Sequence, residues 1–307
     1  MASTVFIDGA AGTTGLEIAD RLATRPEFEL ITLGEDRRKD DAARAEALNA
    51  ADFVILCLPD EAAKAAVGMI RNDTTRVIDA SSAHRTAPGW TYGFAEVIGH
   101  EAIAGARFVS NPGCYPTGFL GLVAPLVRAG LLPADWPYVC HAVSGYSGGG
   151  KALIARFEAE PDIAYRAYGL AMGHKHVPEM KTHAGLAHDP IFAPAVVPAH
   201  RGMLVEVPLH LALMDKAGSA DELRAALAEF YAGSPIVTVA PDAPGELLLL
   251  RSMEPNDGLT LRVVGAADGA QARMAAVLDN LGKGASGAAV QNLNIMAGLD
   301  ETAGLRL

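Results

Sequence analysis

The segment Ser110-Asn111-Pro112-Gly113-Cys114-Tyr115-Pro116-Thr117 puts a cysteine on a turn that opens into an apolar, helix-like run from about Tyr115 to Ala129. At a helix start the unsatisfied N–H groups and the helix dipole favour thiolate over thiol, which makes the sulfur nucleophilic near neutral pH. Cys57 and Cys140 sit in apolar strand-like runs and read as packing residues. A cysteine beside Pro and Gly is also a common structural feature, so Cys114 counts as a nucleophile only with partners. The run His174-Lys175-His176-Val177-Pro178-Glu179, sixty residues downstream, offers them. A histidine from it could pair with the thiolate and shuttle a proton to a developing alkoxide. On a strand, His174 and His176 would project to one side as two metal ligands do, but no further ligands stand at metal spacing and no metal is expected. One residue of register decides which imidazole faces the sulfur.

A second candidate lies at the start of the chain. Asp8-Gly9-Ala10-Ala11-Gly12-Thr13-Thr14-Gly15 follows an apolar run and precedes a helical pattern. Glycines there let the backbone approach a pyrophosphate, and the helix start attracts its charge. The GxxGxxG spacing is looser than GxGxxG and is also compatible with a plain strand-to-helix turn. After the second apolar run come Glu35-Asp36-Arg37-Arg38-Lys39, where Arg37 and Arg38 either clasp a 2′-phosphate, favouring NADP, or belong to a solvated charge cluster. Ser144-Gly145-Tyr146-Ser147-Gly148-Gly149-Gly150-Lys151 lacks the GxxxxGK[ST] order and reads as a backbone cradle near the cysteine. Arg85 and Arg201 are loop arginines suited to a phosphate or carboxylate, or to a surface ion pair.

These residues need elements to hold them. The 307 residues suggest about two domains. In the first third, apolar runs at 4–7, 28–33, 53–58 and 76–78 alternate with helical patterns at 14–23, 41–48 and 61–70. That alternation predicts a doubly wound parallel sheet. Beyond the cysteine, strands are expected at 139–143, 204–211, 236–239, 247–250 and 259–264, helices at 221–231 and 270–281, and a last helix from Gly284 to Gly298. Half the residues are hydrophobic and a fifth charged, which excludes wholesale disorder. No apolar stretch approaches the roughly 20 residues of a membrane span. A net charge of −11 without a basic stripe argues against nucleic acid. Three scattered cysteines and no leader pattern point to the cytoplasm.

The motifs IDGAAGTTG, NPGCYPTG, SGYSGGGK, HKHVPEM, PAHRGM and GKGASGAAVQNLNIM together resemble the N-acetyl-gamma-glutamyl-phosphate reductases in their shorter, type 2 form, over nearly the whole chain. The resemblance implies an α/β protein: a Rossmann-type domain at 1–113, and an α+β substrate and dimerisation domain of the semialdehyde dehydrogenase type at 114–283. A C-terminal helix at 284–307 would return to the Rossmann domain. It implies an NADPH-dependent enzyme of arginine biosynthesis, a small anionic acyl-phosphate substrate, and a homodimer or homotetramer.

Carried onto this chain, the resemblance makes Cys114 the nucleophile and His176 the acid/base, supported by His174 and Glu179. Gly9, Gly12, Thr13, Thr14, Gly15, Arg37, Arg38, Ser81, Ser144, Gly145 and Asn292 become expected NADP(H) contacts, with Asn292 at the nicotinamide. Arg85, Asn111, Lys151 and Arg201 become expected substrate contacts. Thr13-Thr14 and Ala83-His84 depart from the pattern of many relatives. The expected chemistry is attack of the thiolate on the acyl phosphate, a thioester, and its reduction to the aldehyde. Backbone N–H groups near Cys114 and a protonated His176 would steady the oxyanions. The alternatives are an aspartate-semialdehyde dehydrogenase-like reductase and a catalytically silent NADP-binding regulator.

Overall fold

The computed structural model describes residues 2–215, 217–241 and 244–307, which form two compact units. The first comprises Met1–Pro112 and Ala285–Leu305. Its strands are β1 (Ser3–Asp8), β2 (Phe28–Ile31), β3 (Phe53–Leu56), β4 (Arg76–Asp79), β5 (Thr91–Tyr92) and β6 (Phe108–Ser110). All pair in parallel, in the order β2-β1-β3-β4-β6-β5. The connecting helices are α1 (Thr13–Leu22), α2 (Asp41–Ala50), α3 (Asp60–Met69), α4 (Ala95–Ile98) and α5 (His100–Gly105).

Successive strand residues face opposite sides, and both sides are covered. Val5 and Ile7 pack with Ile18, Leu22 and Ile103, whereas Phe6 packs with Ala47, Leu48, Ala63 and Ala66. This is the doubly wound, Rossmann-type arrangement expected from the alternating periods. Ala289, Val290 and Leu293, near the end of the chain, complete the first of these two cores.

The second unit comprises Gly113–Gly284 and Arg306–Leu307. It contains α6 (Cys114–Arg128), β7 (Val139–Gly145), α7 (Gly150–Ala159), β8 (Arg166–Ala167), α8 (Val177–Ala184), β9 (Ile191–Val197), β10 (Met203–Leu209), α9 (Ala220–Phe230), β11 (Val237–Val239), β12 (Leu259–Gly265) and β13 (Ala272–Leu278). The chain's last helix, α10 (Gly287–Met296), belongs to the first unit. The seven strands form a mixed sheet in the order β11-β12-β13-β10-β7-β9-β8. Helix α6 packs on β10 and β13, with every residue from Tyr115 to Leu126 buried. Each fully buried Leu or Phe along it contributes about 1.5–3 kcal/mol. The helix lies so close that a Cβ on Gly118 would stand 2.7 Å from Val205 Cγ2, so only glycine fits there.

Two sequence expectations fail in this unit. Within 270–281 the chain forms strand β13 rather than a helix: the run is rich in helix formers, but it is hydrogen-bonded between β12 and β10, and Ala276 is small where α6 presses on the sheet. Residues 247–250 pair with no strand; Leu248 and Leu250 are exposed and Leu249 packs over Gly202. Strands β6 and β9 were not anticipated; Pro194 interrupts the β9 pattern.

Candidate active site

In the first unit, β1 delivers the chain into the glycine loop. Gly9 has φ +91°, and a Cβ there would stand 2.3 Å from the Cys57 carbonyl oxygen; one on Gly15 would stand 2.5 Å from the carbonyl oxygen of Gly9. Both positions therefore require glycine. The Gly12 N–H bonds to the Gly9 carbonyl at 2.9 Å, and α1 begins at Thr13 with no side-chain cap on its first turn. This leaves the positive end of the helix for an anion. A cavity of about 810 Å³ lies against Asp8, Gly9, Gly12, the end of β2 and Cys57. Arg38, Lys39 and Arg44 also line it. Arg37 instead pairs with Glu46 at 3.4 Å on the exposed surface.

Other expected contacts in this unit hold backbone. The Ser81 hydroxyl donates to Asp79 at 2.8 Å and accepts the Ala83 N–H at 3.1 Å. Buried Arg85 donates from Nε to the Asn111 carbonyl at 3.0 Å and from Nη2 to the Ala80 carbonyl at 3.4 Å. The Asn292 amide donates to the Gly93 carbonyl at 2.9 Å and to Asn111 Oδ1 at 3.0 Å, and Asn111 donates to the Ala285 carbonyl. Asn292 Oδ1 is buried and accepts no bond. An unmet buried acceptor costs about 1–3 kcal/mol, so this amide fits a carboxamide donor such as that of nicotinamide. Together with the glycine cradle, it shows that the residues present suit a dinucleotide.

In the second unit, Cys114 is the first residue of α6 and is half-buried. The Gly113 N–H donates to Glu179 Oε1 at 2.7 Å, which ties the turn before the cysteine to α8 and removes that N–H from the donors open to an oxyanion. His174 and His176 are not on a strand: they form the turn before α8, with His176 as its N-cap. The His176 N–H donates to His174 Nδ1 at 3.2 Å, which places the His174 proton on Nε2. The His176 ring lies 5.9 Å from that of Tyr115, the residue after the cysteine. His174 stands edge-on to Phe192 and Tyr168, and the Arg166 guanidinium lies 4.7 Å over the Tyr168 ring. A Cβ on Gly284 would come 2.8 Å from Cys114 Cβ.

Burial raises the Tyr115 hydroxyl well above its ordinary range, with neighbouring Tyr168 and Cys114 adding to the shift. Tyr168 is pushed up to about 12 by burial, and the Cys114 charge contributes. Both hydroxyls thus keep their protons, and that of Tyr115 is donated to the Ala195 carbonyl at 3.1 Å. Burial, then Asp79 and Asp8, push the Cys57 thiol up to about 12, and burial raises Cys140 further. Neither supplies a thiolate near neutral pH.

Ser144 donates to the Gly145 carbonyl at 2.9 Å, and a Cβ on Gly145 would stand 2.8 Å from the carbonyl oxygens of Ala199 and His200. The glycine-rich turn is thus packed on the PAHRG loop. Arg201, carried on that loop, is paired with buried Asp279 at 2.6 Å. Lys151 is exposed at the start of α7. Among the described residues no group of three or more His, Cys, Asp and Glu could hold a metal ion.

With this geometry known, comparison with other proteins becomes informative. Residues 4–106 match the model of the semialdehyde dehydrogenase NAD binding domain, and residues 114–280 that of the semialdehyde dehydrogenase dimerisation domain. An N-acetyl-gamma-glutamyl-phosphate reductase of Burkholderia ambifaria is 52% identical over 306 residues, covering 96% of each chain. The chain belongs to the N-acetyl-gamma-glutamyl-phosphate reductase family. A second member, N-acetyl-gamma-glutamyl-phosphate reductase 2 of Nostoc sp., is 48% identical and covers 98% of each chain. Among solved structures, aspartate semialdehyde dehydrogenases share the fold. That of Francisella tularensis has a TM-score of 0.70 at 14% identity, covering 96% of this chain and all of its own. That of Candida albicans with NADP has a TM-score of 0.65 at 17% identity, covering 96% and 98%.

Within this family member, sequence reasoning missed Arg44, Tyr168, Arg166, Gly284 and buried Lys283. Arg44 is hidden in an Ala-rich helix, Arg166 lies on the two-residue strand β8, and Tyr168 directly follows it. For Gly284 and Lys283 a signal existed: both fall in the GKGAS run of the family motif.

Proposed function

We propose that this chain catalyses the NADPH-dependent reductive dephosphorylation of N-acetyl-L-glutamyl 5-phosphate to N-acetyl-L-glutamate 5-semialdehyde, a step of arginine biosynthesis. The observation that carries the reading is the setting of Cys114, which alone among the three cysteines begins a helix, follows a turn fixed by a buried carboxylate and precedes a tyrosine whose ring lies 5.9 Å from that of His176. Family membership and the acceptor left open on Asn292 support the cofactor and the substrate class.

In this mechanism the Cys114 thiolate attacks the acyl-phosphate carbonyl, the C–O bond to phosphate breaks, and phosphate leaves with the electron pair. The acyl group remains on sulfur as a thioester. Bound NADPH supplies the hydride that reduces this thioester. Hydride addition leaves an oxyanion on the sulfur-bound carbon, to which His176 lends a proton and from which it takes it back as the C–S bond breaks, freeing the aldehyde and regenerating the thiolate. His176 is the acid/base, because its ring lies against Tyr115 whereas His174 Nδ1 is committed to a backbone N–H. His174 is a positioning residue, and Glu179 holds the Gly113 turn. Tyr168 keeps its proton and polarises the site, while the Tyr115 hydroxyl is held by the Ala195 carbonyl.

The glycine loop from Gly9 to Gly15, with Thr13 and Thr14, holds the diphosphate, Arg38 the adenosine end, and Asn292 the carboxamide. Ser81, Arg85 and Asn111 shape the loops around that cofactor site. Lys151 is the open cation for the substrate, since Arg201 is paired with Asp279. The dimerisation domain supports a homodimer or homotetramer. The need for a free thiol and for NADPH supports a cytoplasmic location.

The reverse reaction tests this reading. With NADP+ and phosphate, N-acetylglutamate semialdehyde should be oxidised with kcat/KM at least about a hundredfold above that for aspartate semialdehyde, the discrimination expected when a site built for polar groups loses them. Equal or inverted preference would replace the reading with an aspartate-semialdehyde dehydrogenase, and silence toward both would favour a binding protein.

A further inference from the structure

The cofactor cavity carries three cations, Arg38, Lys39 and Arg44, and only Arg44 is built into its wall. Arg38 and Lys39 are exposed, Arg38 with a loose 3.7 Å contact to Glu35. The Arg44 side chain is 12% exposed and reaches from α2 back to the end of β1. Its Nη2 donates to Asp8 Oδ2 at 2.8 Å, its Nε to the same oxygen at 3.2 Å, and its Nη1 to Asp41 at 3.0 Å.

A guanidinium has five N–H groups, and these contacts use three. One N–H on each terminal nitrogen is left over, a forked pair suited to a phosphate. The position identifies which phosphate. In a doubly wound sheet the diphosphate sits at the first glycine loop, and the region after the second strand reads the 2′ position of the adenosine ribose. Arg44 stands on the helix that follows that strand.

We propose that Arg44, oriented by Asp8, binds the adenosine 2′-phosphate of NADPH and sets the preference over NADH, with Arg38 and Lys39 closing over it. This rests on the NADPH reading given above. It shifts the determinant from the solvent-facing Arg37 to a residue hidden in an Ala-rich helix.

Calorimetric titration of the full-length protein with adenosine 2′,5′-bisphosphate and with 5′-AMP tests the proposal without turnover. Wild type should bind the bisphosphate more tightly. R44Q should lose at least about tenfold for the bisphosphate while 5′-AMP stays within about threefold, the loss of one charge-assisted fork. R44Q strands the Asp8 carboxylate, so D8N/R44Q, which removes both halves of the pair, guards against a folding defect. It should remain folded by thermal unfolding and still fail to discriminate. If D8N/R44Q regains the wild-type ratio, Arg44 only neutralises Asp8 and the proposal is overturned; equal loss for both ligands in R44Q overturns it too. A wild-type protein with no preference for the bisphosphate would overturn the NADPH reading itself.

Discussion

Cys57, Cys114 and Cys140 share one functional group, and their surroundings assign it three fates. Cys140 is fully buried on β7, and burial together with the charges of Asp79 and Asp8 acts on Cys57, so ionising either would bury or crowd a negative charge. Cys114 begins α6, where the helix dipole acts in the opposite sense. Brief treatment with iodoacetamide near neutral pH should therefore label one cysteine per chain, Cys114, and peptide mass spectrometry locates it. Labelling of Cys57 at a comparable rate would contradict the assignment. Cys57 and Cys140 should react only once denaturant has unfolded the chain, because their surroundings hold both thiols un-ionised in the folded protein. At this scale the sequence was informative, since the NPGC turn and the HKHVPE run single out the candidate cysteine and histidines. Roles were harder to read: the basic run gives no sign that Arg37 turns to Glu46 while Arg44 enters the cavity wall.

The turn that opens α6 is tied to α8 by a hydrogen bond from the Gly113 N–H to Glu179. Replacing Glu179 by Ala leaves that N–H without its acceptor in a buried place, at a cost of about 1–3 kcal/mol. We expect E179A to lower the thermal midpoint by several degrees, about 2–4 °C for each kcal/mol in a chain of this size or somewhat less, and to depress kcat. E179Q keeps an acceptor and should recover most of the stability. Equal midpoints for E179A and wild type would show that the bond does not hold the turn. The elements themselves were legible where local period and tertiary environment agree, as in β1, α1, α2 and α9. They were misread where the environment decides. Strand β13 has the composition of a helix, and its small Ala276 makes sense only with α6 lying across it. The 174–176 turn was read in strand terms because Pro178, at the first turn of α8, is as compatible with a helix start as with a break.

The whole chain folds as two units whose boundaries do not follow sequence order, because residues 285–305 complete the core of the first. Arg25 anchors that return, donating to the Ala303 carbonyl at 2.6 Å and to Asn294 at 3.2 Å. The alternating periods of the first third are enough to read its architecture, since each element buries a face against its sequence neighbours. The mixed sheet of the second unit depends on pairings between strands far apart in the chain, such as β7 with β9 and β10 with β13, and no local pattern specifies those. One step joins the account across these scales: transfer of an acyl group to Cys114. Mass spectrometry of the protein incubated with N-acetylglutamyl phosphate, with nicotinamide nucleotide left out, measures it directly. A single N-acetylglutamyl group on Cys114, absent from the C114S variant, is the expected result, and release of phosphate with no acyl group on that residue would contradict it.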